Sequence, residues 1–131
     1  MPFNPVQADI SRLFDRFVED FASFQGSAVA RHFVVPGVAL RRDGTLRGFA
    51  ALDEIAVYYQ DALDRYRAAG CQSCRYENLE VDVLGETSAV AKVSWDLLAK
   101  DGSVVGHWRQ AYFLLRQGAD WRIFGSAFMT D

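Results

Sequence analysis

The chain has 131 residues, 50% apolar, 24% charged and 14% aromatic, which supports a single domain over residues 1–131 with a real core and excludes a disordered or fibrous chain. Fourteen basic against seventeen acidic residues give a net charge of −3, and no cation run exceeds Arg41-Arg42, so nothing marks a nucleic-acid partner. No window nears ~18 uninterrupted apolar residues and no basic-then-apolar leader opens the sequence, so neither a membrane span nor export is expected and a cytoplasmic location is.

From Asp9 to Phe24, Ile10, Leu13, Phe14, Phe17, Val18, Phe21 and Phe24 recur at three and four, one face of an amphipathic helix that should stop at Gln25-Gly26. Ser27 can cap a short second helix ending near His32-Phe33, because Pro36 forbids its continuation. Val38 to Leu40 and Thr45 to Arg47 flank Asp43-Gly44, a small hairpin or extended corner. Phe49, Leu52, Ile55, Ala56, Tyr59, Leu63 and Tyr66 restore the helical period, and Gly70 closes it. From Gln72 onward the pattern is strands, broken at Gly85-Glu86-Thr87, at Asp101-Gly102 and at Gln117 to Asp120. Three turns make a four-stranded antiparallel meander, so the fold class is α+β, helices packed on one face of a curved antiparallel sheet.

Three segments carry a family resemblance: Arg47-Gly48-Phe-Ala-Ala-Leu-Asp-Glu-Ile55 opening the long helix, Ala89-Val-Ala-Lys-Val-Ser-Trp95, and Asp120-Trp-Arg-Ile123 opening the last strand. With the element order they resemble the NTF2-like superfamily, in its SnoaL-like and polyketide-cyclase-like branch, over nearly the whole chain. The resemblance implies a cystatin/NTF2-like cone-shaped half-barrel with three helices, a pocket between sheet and helices, and commonly a homodimer. Its members include isomerases, dehydratases, cyclases and binding modules. Ketosteroid-isomerase-like members place a Tyr in the first helix and an Asp in the strand after the second. Here those stretches hold Phe14, Phe17 and Val18, and Val38 to Arg42, with neither residue.

Turn counting assigns faces. A two-residue loop at Asp101-Gly102 pairs Trp95 with Trp108, Val93 with Gln110 and Ala91 with Tyr112 on one face, and Asp96 with His107 and Ser94 with Arg109 on the other. A loop from Gln117 to Asp120 sets Leu114 against Ile123, Tyr112 against Gly125, Gln110 against Ala127 and Trp108 against Met129. The larger apolar set should be concave. On the preceding strand Leu79, Val81 and Val83 face inward, which needs an odd turn or bulge at Gly85 and carries Glu77 and Arg75 inward too.

The expected pocket is lined by Tyr59, Glu77, Trp95, Trp108, Gln110 and Tyr112, with Arg75 nearer the mouth. The alternative is that these aromatics simply fill the core. Glu77 beside indoles would have a raised pKa and could act as general base or acid; otherwise it pairs with Arg75 at the surface. Asp96, His107 and Arg109 read better as a surface ion cluster or dimer contact than as a catalytic set. His32 reads as a helix C-terminal cap rather than a base. Cys71-Gln-Ser-Cys74 lacks the helix N-terminus that activates redox thiols and the further ligands zinc needs.

No metal or cofactor is expected. The leading function is binding of a small apolar or cyclic molecule; the alternatives are proton-transfer isomerase, dehydratase or cyclase chemistry with Glu77 as base, and a non-catalytic dimeric interaction domain. Phe113 across from Phe124, with Leu115, Ala111 and Phe128 around them, forms a convex apolar patch that a second copy would bury.

Overall fold

The computed structural model describes residues 5–129. Helix α1 (Pro5–Ala22) opens on a proline, whose fixed φ suits a first turn, and buries Ile10, Leu13, Phe14, Phe17 and Phe21 along one face. It ends before Gln25, the chain turning through Phe24 in a left-handed conformation (φ 54°). Helix α2 (Gly26–Ala30) is followed, after two strands, by helix α3 (Leu52–Ala68). Glu54 starts α3 by accepting from the backbone N–H groups of Ala50 and Ala51, each at 3.0 Å. Gly70, with φ 95°, follows its end.

Gly26 does not terminate α1; it seats α2 on α3. A β-carbon at this position would lie 2.2 Å from the Ala56 carbonyl oxygen, so only glycine permits the approach. Gln60 locks the contact from both sides: its Oε1 accepts from Gly26 N–H at 2.7 Å and its Nε2 donates to the Phe24 carbonyl at 3.1 Å.

The strands are β1 (Phe33–Leu40), β2 (Leu46–Phe49), β3 (Ser73–Val83), β4 (Ser88–Leu98), β5 (Val104–Gln117) and β6 (Asp120–Met129), in one sheet of order β2-β1-β6-β5-β4-β3. The meander forms as expected, but the sheet is mixed rather than antiparallel, because β1 runs parallel to β6. Turn motifs report only antiparallel neighbours in sequence, so they carry no trace of this pairing. Pro36 lies inside β1, and the β1–β6 register breaks between Phe33 and Val38, around the residue with no N–H to give the ladder.

The β4–β5 register matches the count: Ala91, Val93 and Trp95 oppose Tyr112, Gln110 and Trp108 on the inner face, while Ser94 and Asp96 oppose Arg109 and His107 outside. The turn itself is one residue longer, with Ala99 N–H bonded to Ser103 O and Gly102 N–H to Ala99 O, each at 2.9 Å. An irregularity between Leu97 and Leu98 restores the phase.

Two bulges overturn other face assignments. Beyond Leu114 opposite Ile123, β6 shifts by one, so Ser126 faces Tyr112 and Phe128 faces Gln110, in place of Gly125 and Ala127. Phe128 therefore turns inward and leaves the convex patch. In β3 the shift falls between Glu77 and Glu80, with Asn78 left-handed (φ 56°), and not at Gly85. Val81 and Val83 stay on the inner face opposite Ala91 and Ala89, but ahead of the bulge Tyr76 and Cys74 are inward, opposite Trp95 and Leu97.

The core sits between α1 and the inner face, where the Phe14 ring meets Tyr112 at 5.2 Å and Phe17 meets Trp95 at 5.4 Å between centroids. Leu52, expected on the buried stripe of α3, is the first residue of the helix and 44% exposed, whereas Ile55 and Leu63 further along are buried. No helix among the described residues is long and apolar enough to cross a membrane.

Candidate functional site

Where α3 and the end of α1 span the inner face, they enclose a cavity of about 620 Å³. Its deep wall is Phe17, Trp95, Tyr112 and Ser126, with Tyr59 facing them from α3; its outer part holds Tyr66, Trp108, Gln110 and Phe128. Arg41, Arg42 and Asp43 after β1, the stretch 105–107 opening β5, and Arg65 form the lip.

The deep wall is hydrogen-bonded within itself. Trp95 Nε1 donates to the Tyr112 hydroxyl at 2.8 Å, across two buried side chains. Burial pushes the phenols of Tyr59, Tyr66 and Tyr112 above their usual pKa, most strongly those of Tyr59 and Tyr112, so all three stay protonated and available as donors. At the lip, Trp108 Nε1 donates to Gln110 Oε1 at 2.9 Å. The Trp108 and Phe128 rings stack with centroids 6.4 Å apart and planes 16° apart, and the Arg42 guanidinium lies 4.5 Å over Phe128.

Of the residues expected at the pocket, Tyr59, Trp95, Trp108, Gln110 and Tyr112 meet there. Arg75 and Glu77 do not. The Asn78 bulge turns both to the outer face, where Arg75 Nε donates to Asp96 Oδ2 at 2.9 Å and lies 3.4 Å from Glu77 Oε1. The Glu77 side chain is 57% exposed beside Arg75, so it is a surface ion-pair partner and not a carboxylate of the cavity.

The outer face carries a polar network. His107 Nδ1 donates to Asp96 Oδ1 at 2.6 Å, Arg109 donates to Ser94 Oγ at 2.8 Å, and Arg109 pairs with Glu80 Oε2 at 3.1 Å. The hydrogen bonds from His107 first, then Arg75, hold the Asp96 carboxyl below its usual range despite its burial. His32 uses its ring differently from a cap: Nε2 donates to Asp20 Oδ2 at 2.6 Å, tying β1 to α1. Burial lowers its pKa while Asp20 pulls the other way. Cys71 and Cys74 are free, buried thiols that burial holds above their usual pKa, and Cys74 is part of the cavity wall. Among the described residues, no group of three or more His, Cys, Asp or Glu could hold a metal ion.

Ser126, Phe128, Tyr66 and Arg42 escaped the sequence reading. Tyr66 follows Tyr59 by seven residues, two helical turns on the same stripe, which is a usable signal; Ser126 and Phe128 were hidden by the β6 bulge.

The sequence matches, over residues 8–130, the family described as NTF2-like protein (DUF6841). No curated protein matches it. Among solved structures, a Nostoc punctiforme protein with a cystatin-like fold superposes with a TM-score of 0.79 at 14% identity, covering 100% of this chain and 96% of that one. Aln2 from a Streptomyces species gives 0.78 at 15% identity, covering 100% and 94%. An NTF2-like protein with a cystatin-like fold from Novosphingobium aromaticivorans gives 0.72 at 16%, covering 93% and 79%. At these identities the likeness speaks for the fold alone.

Proposed function

The chain belongs to this NTF2-like family, DUF6841, and from that premise we propose that it binds a small apolar or cyclic molecule in the cavity beneath α3. The observation that carries this reading is the 620 Å³ cavity itself, whose aromatic wall converges on a few oriented polar groups. A residue set merely filling the core would leave no such volume. Binding is favoured over proton transfer because the lining among the described residues offers no buried base: its one carboxylate there, Asp43, is exposed at the lip and bonded to Thr45. Within the family we read the chain as SnoaL-like on the Arg47–Ile55, Ala89–Trp95 and Asp120–Ile123 segments.

The assembly we propose is a homodimer through the convex sheet face. Phe113 and Phe124 meet there with centroids 6.1 Å apart, and Val38, Leu40 and Leu46 extend the patch across β1 and β2, all three at least 36% exposed. The buried free thiols Cys71 and Cys74 suit a reducing compartment, and we place the protein in the cytoplasm.

Tryptophan emission tests the binding reading. Trp95 and Trp108 line the cavity and Trp121 does not, so ligand extracted from the native protein and added back should change emission in Trp121→Phe but not in the Trp95→Phe/Trp108→Phe double variant. A response that survives only through Trp121 would sink the assignment.

A further inference from the structure

The two tryptophans of the cavity do the same thing to their neighbours. Trp95 Nε1 donates to the Tyr112 hydroxyl oxygen at 2.8 Å, and Trp108 Nε1 donates to Gln110 Oε1 at 2.9 Å. An indole N–H can only donate, so each tryptophan occupies the acceptor side of its neighbour and leaves the hydrogen side free. The Gln110 amide cannot be reversed, since that would set N–H against N–H. Tyr112 and Gln110 thus offer the cavity an O–H and an amide NH₂.

Charge at the lip has the complementary bias. On a chain of net charge −3, the lip among the described residues carries Arg41, Arg42 and Arg65, the last paired with Asp61 at 3.3 Å, against Asp43. Asp43 is already engaged, accepting from Thr45 N–H at 2.9 Å and Thr45 Oγ1 at 2.6 Å. Arg42 has no carboxylate partner among the described residues; its guanidinium rests 4.5 Å over Phe128, which stacks on Trp108. A guanidinium supported on an aromatic face keeps N–H groups free for a forked bond to a carboxylate. An aromatic site can also attract a cation, but Arg41 and Arg42 at the entrance repel one.

Resting on the reading of this cavity as a small-molecule site, we infer that its ligand is a flat ring compound bearing a carboxylate. The rings lie along Trp108, Phe128 and the apolar wall, the carboxylate meets Arg42, and a second oxygen deeper in the molecule accepts from Tyr112.

Isothermal titration calorimetry of the full chain with three probes of one shape tests this: naphthalene-2-carboxylate, its methyl ester, and 2-naphthylmethylammonium. The carboxylate should bind about tenfold tighter than the ester, equivalent to about 1.4 kcal/mol, and the ammonium weakest. Arg42→Gln should weaken the carboxylate far more than the ester and so erase the margin between them, and salt near ~0.5 M should shrink that margin in the native chain. Equal affinity for carboxylate and ester, a margin unchanged in Arg42→Gln, or preference for the ammonium overturns the carboxylate assignment and leaves the cavity reading standing. Failure of all three probes to bind a chain shown folded by circular dichroism overturns both.

Discussion

Trp95 and Tyr112 face each other diagonally across β4 and β5, the indole N–H donating to the phenol oxygen at 2.8 Å where the two residues are 3% and 2% exposed. Tyr112→Phe keeps the ring and removes the partner that the buried Trp95 N–H has among the described residues. Leaving such a donor unmet costs about 1–3 kcal/mol. Urea unfolding should show that loss, and a variant as stable as the native chain would mean that water or another group satisfies Trp95.

Gly26→Ala should be among the most damaging single-methyl changes, because the new atom would meet backbone of α3 at 2.2 Å and a carbonyl there cannot swing aside. Overpacking of this kind costs about 1–3 kcal/mol or more. Gly48→Ala is the matched control: nothing lies within 4 Å of its β-carbon position, so it should be neutral or slightly stabilising. Equal thermal midpoints for the two variants would refute the close-packing account.

The buried side chains His32 and Asp96 give stability a pH dependence. His32 has a folded pKa below its ordinary value of 6.5, so the folded state binds the proton less readily than the unfolded chain. Its contribution is complete above 6.5 and declines as pH falls through the lowered value. Asp96 is likewise lowered from 3.8, by its bonds to His107 and Arg75, so its contribution holds above that value and is lost as pH falls through the folded pKa. Unfolding midpoints should therefore fall in two stages as pH drops from 8 to 3, with His32→Gln removing the upper one and Asp96→Asn weakening the lower, which Asp43 and Asp101, also held below 3.8 by their bonds to Thr45 and Ser103, share. A midpoint in the native chain that rises between pH 7 and pH 5.5 would contradict the His32 assignment.

Phe124→Glu should convert a dimer into monomers. The side chain is 38% exposed on the convex face, so the folded monomer tolerates a charge that an apolar interface does not. Phe113, half-buried beside it, is a less clean probe. Light scattering reads the outcome, and a native chain already monomeric at micromolar concentration would dispose of the convex-face dimer.

Glu77→Gln should leave cavity binding untouched, since the side chain is on the outer face beside Arg75. An effect comparable to that of Arg42→Gln would return Glu77 to the site.

The helices and the β4–β5 register were legible because they rest on local patterns: the Ile10 to Phe21 stripe, and a turn at Asp101-Gly102 whose extra residue a bulge cancels. The site was half legible, because Tyr59 sits on a helical stripe and Trp95, Trp108, Gln110 and Tyr112 lie on a stretch of β4 and β5 with no register break between them. Arg75 and Glu77 went astray at a single residue. In β3 the inward positions run Cys74 and Tyr76, then Leu79, Val81 and Val83, a switch from even to odd numbers that straddles Asn78, a residue type that accepts left-handed φ. In β6 Trp121 and Ile123 give way to Ser126 and Phe128 beside Gly125. Both phase changes are written in the sequence, but an assumed straight strand reads through them.

With Gly26 seated beneath the Ala56 carbonyl and Gln60 bonded in both directions, α2 and α3 form one stiff unit over the cavity, and packed interfaces of this kind rearrange in jumps rather than by gradual sliding. On the proposed reading, ligand exchange then falls to the opposite rim. There the turn from Arg41 to Thr45 is exposed throughout and held by its own short-range bonds, Gly44 N–H to Arg41 O and Arg41 N–H to Thr45 O, each at 2.9 Å. Such a segment opens locally at little expense. On the proposed reading, the dissociation rate of the bound molecule should follow the opening of this five-residue turn, which carries Arg42, the side chain proposed to meet the ligand's charge.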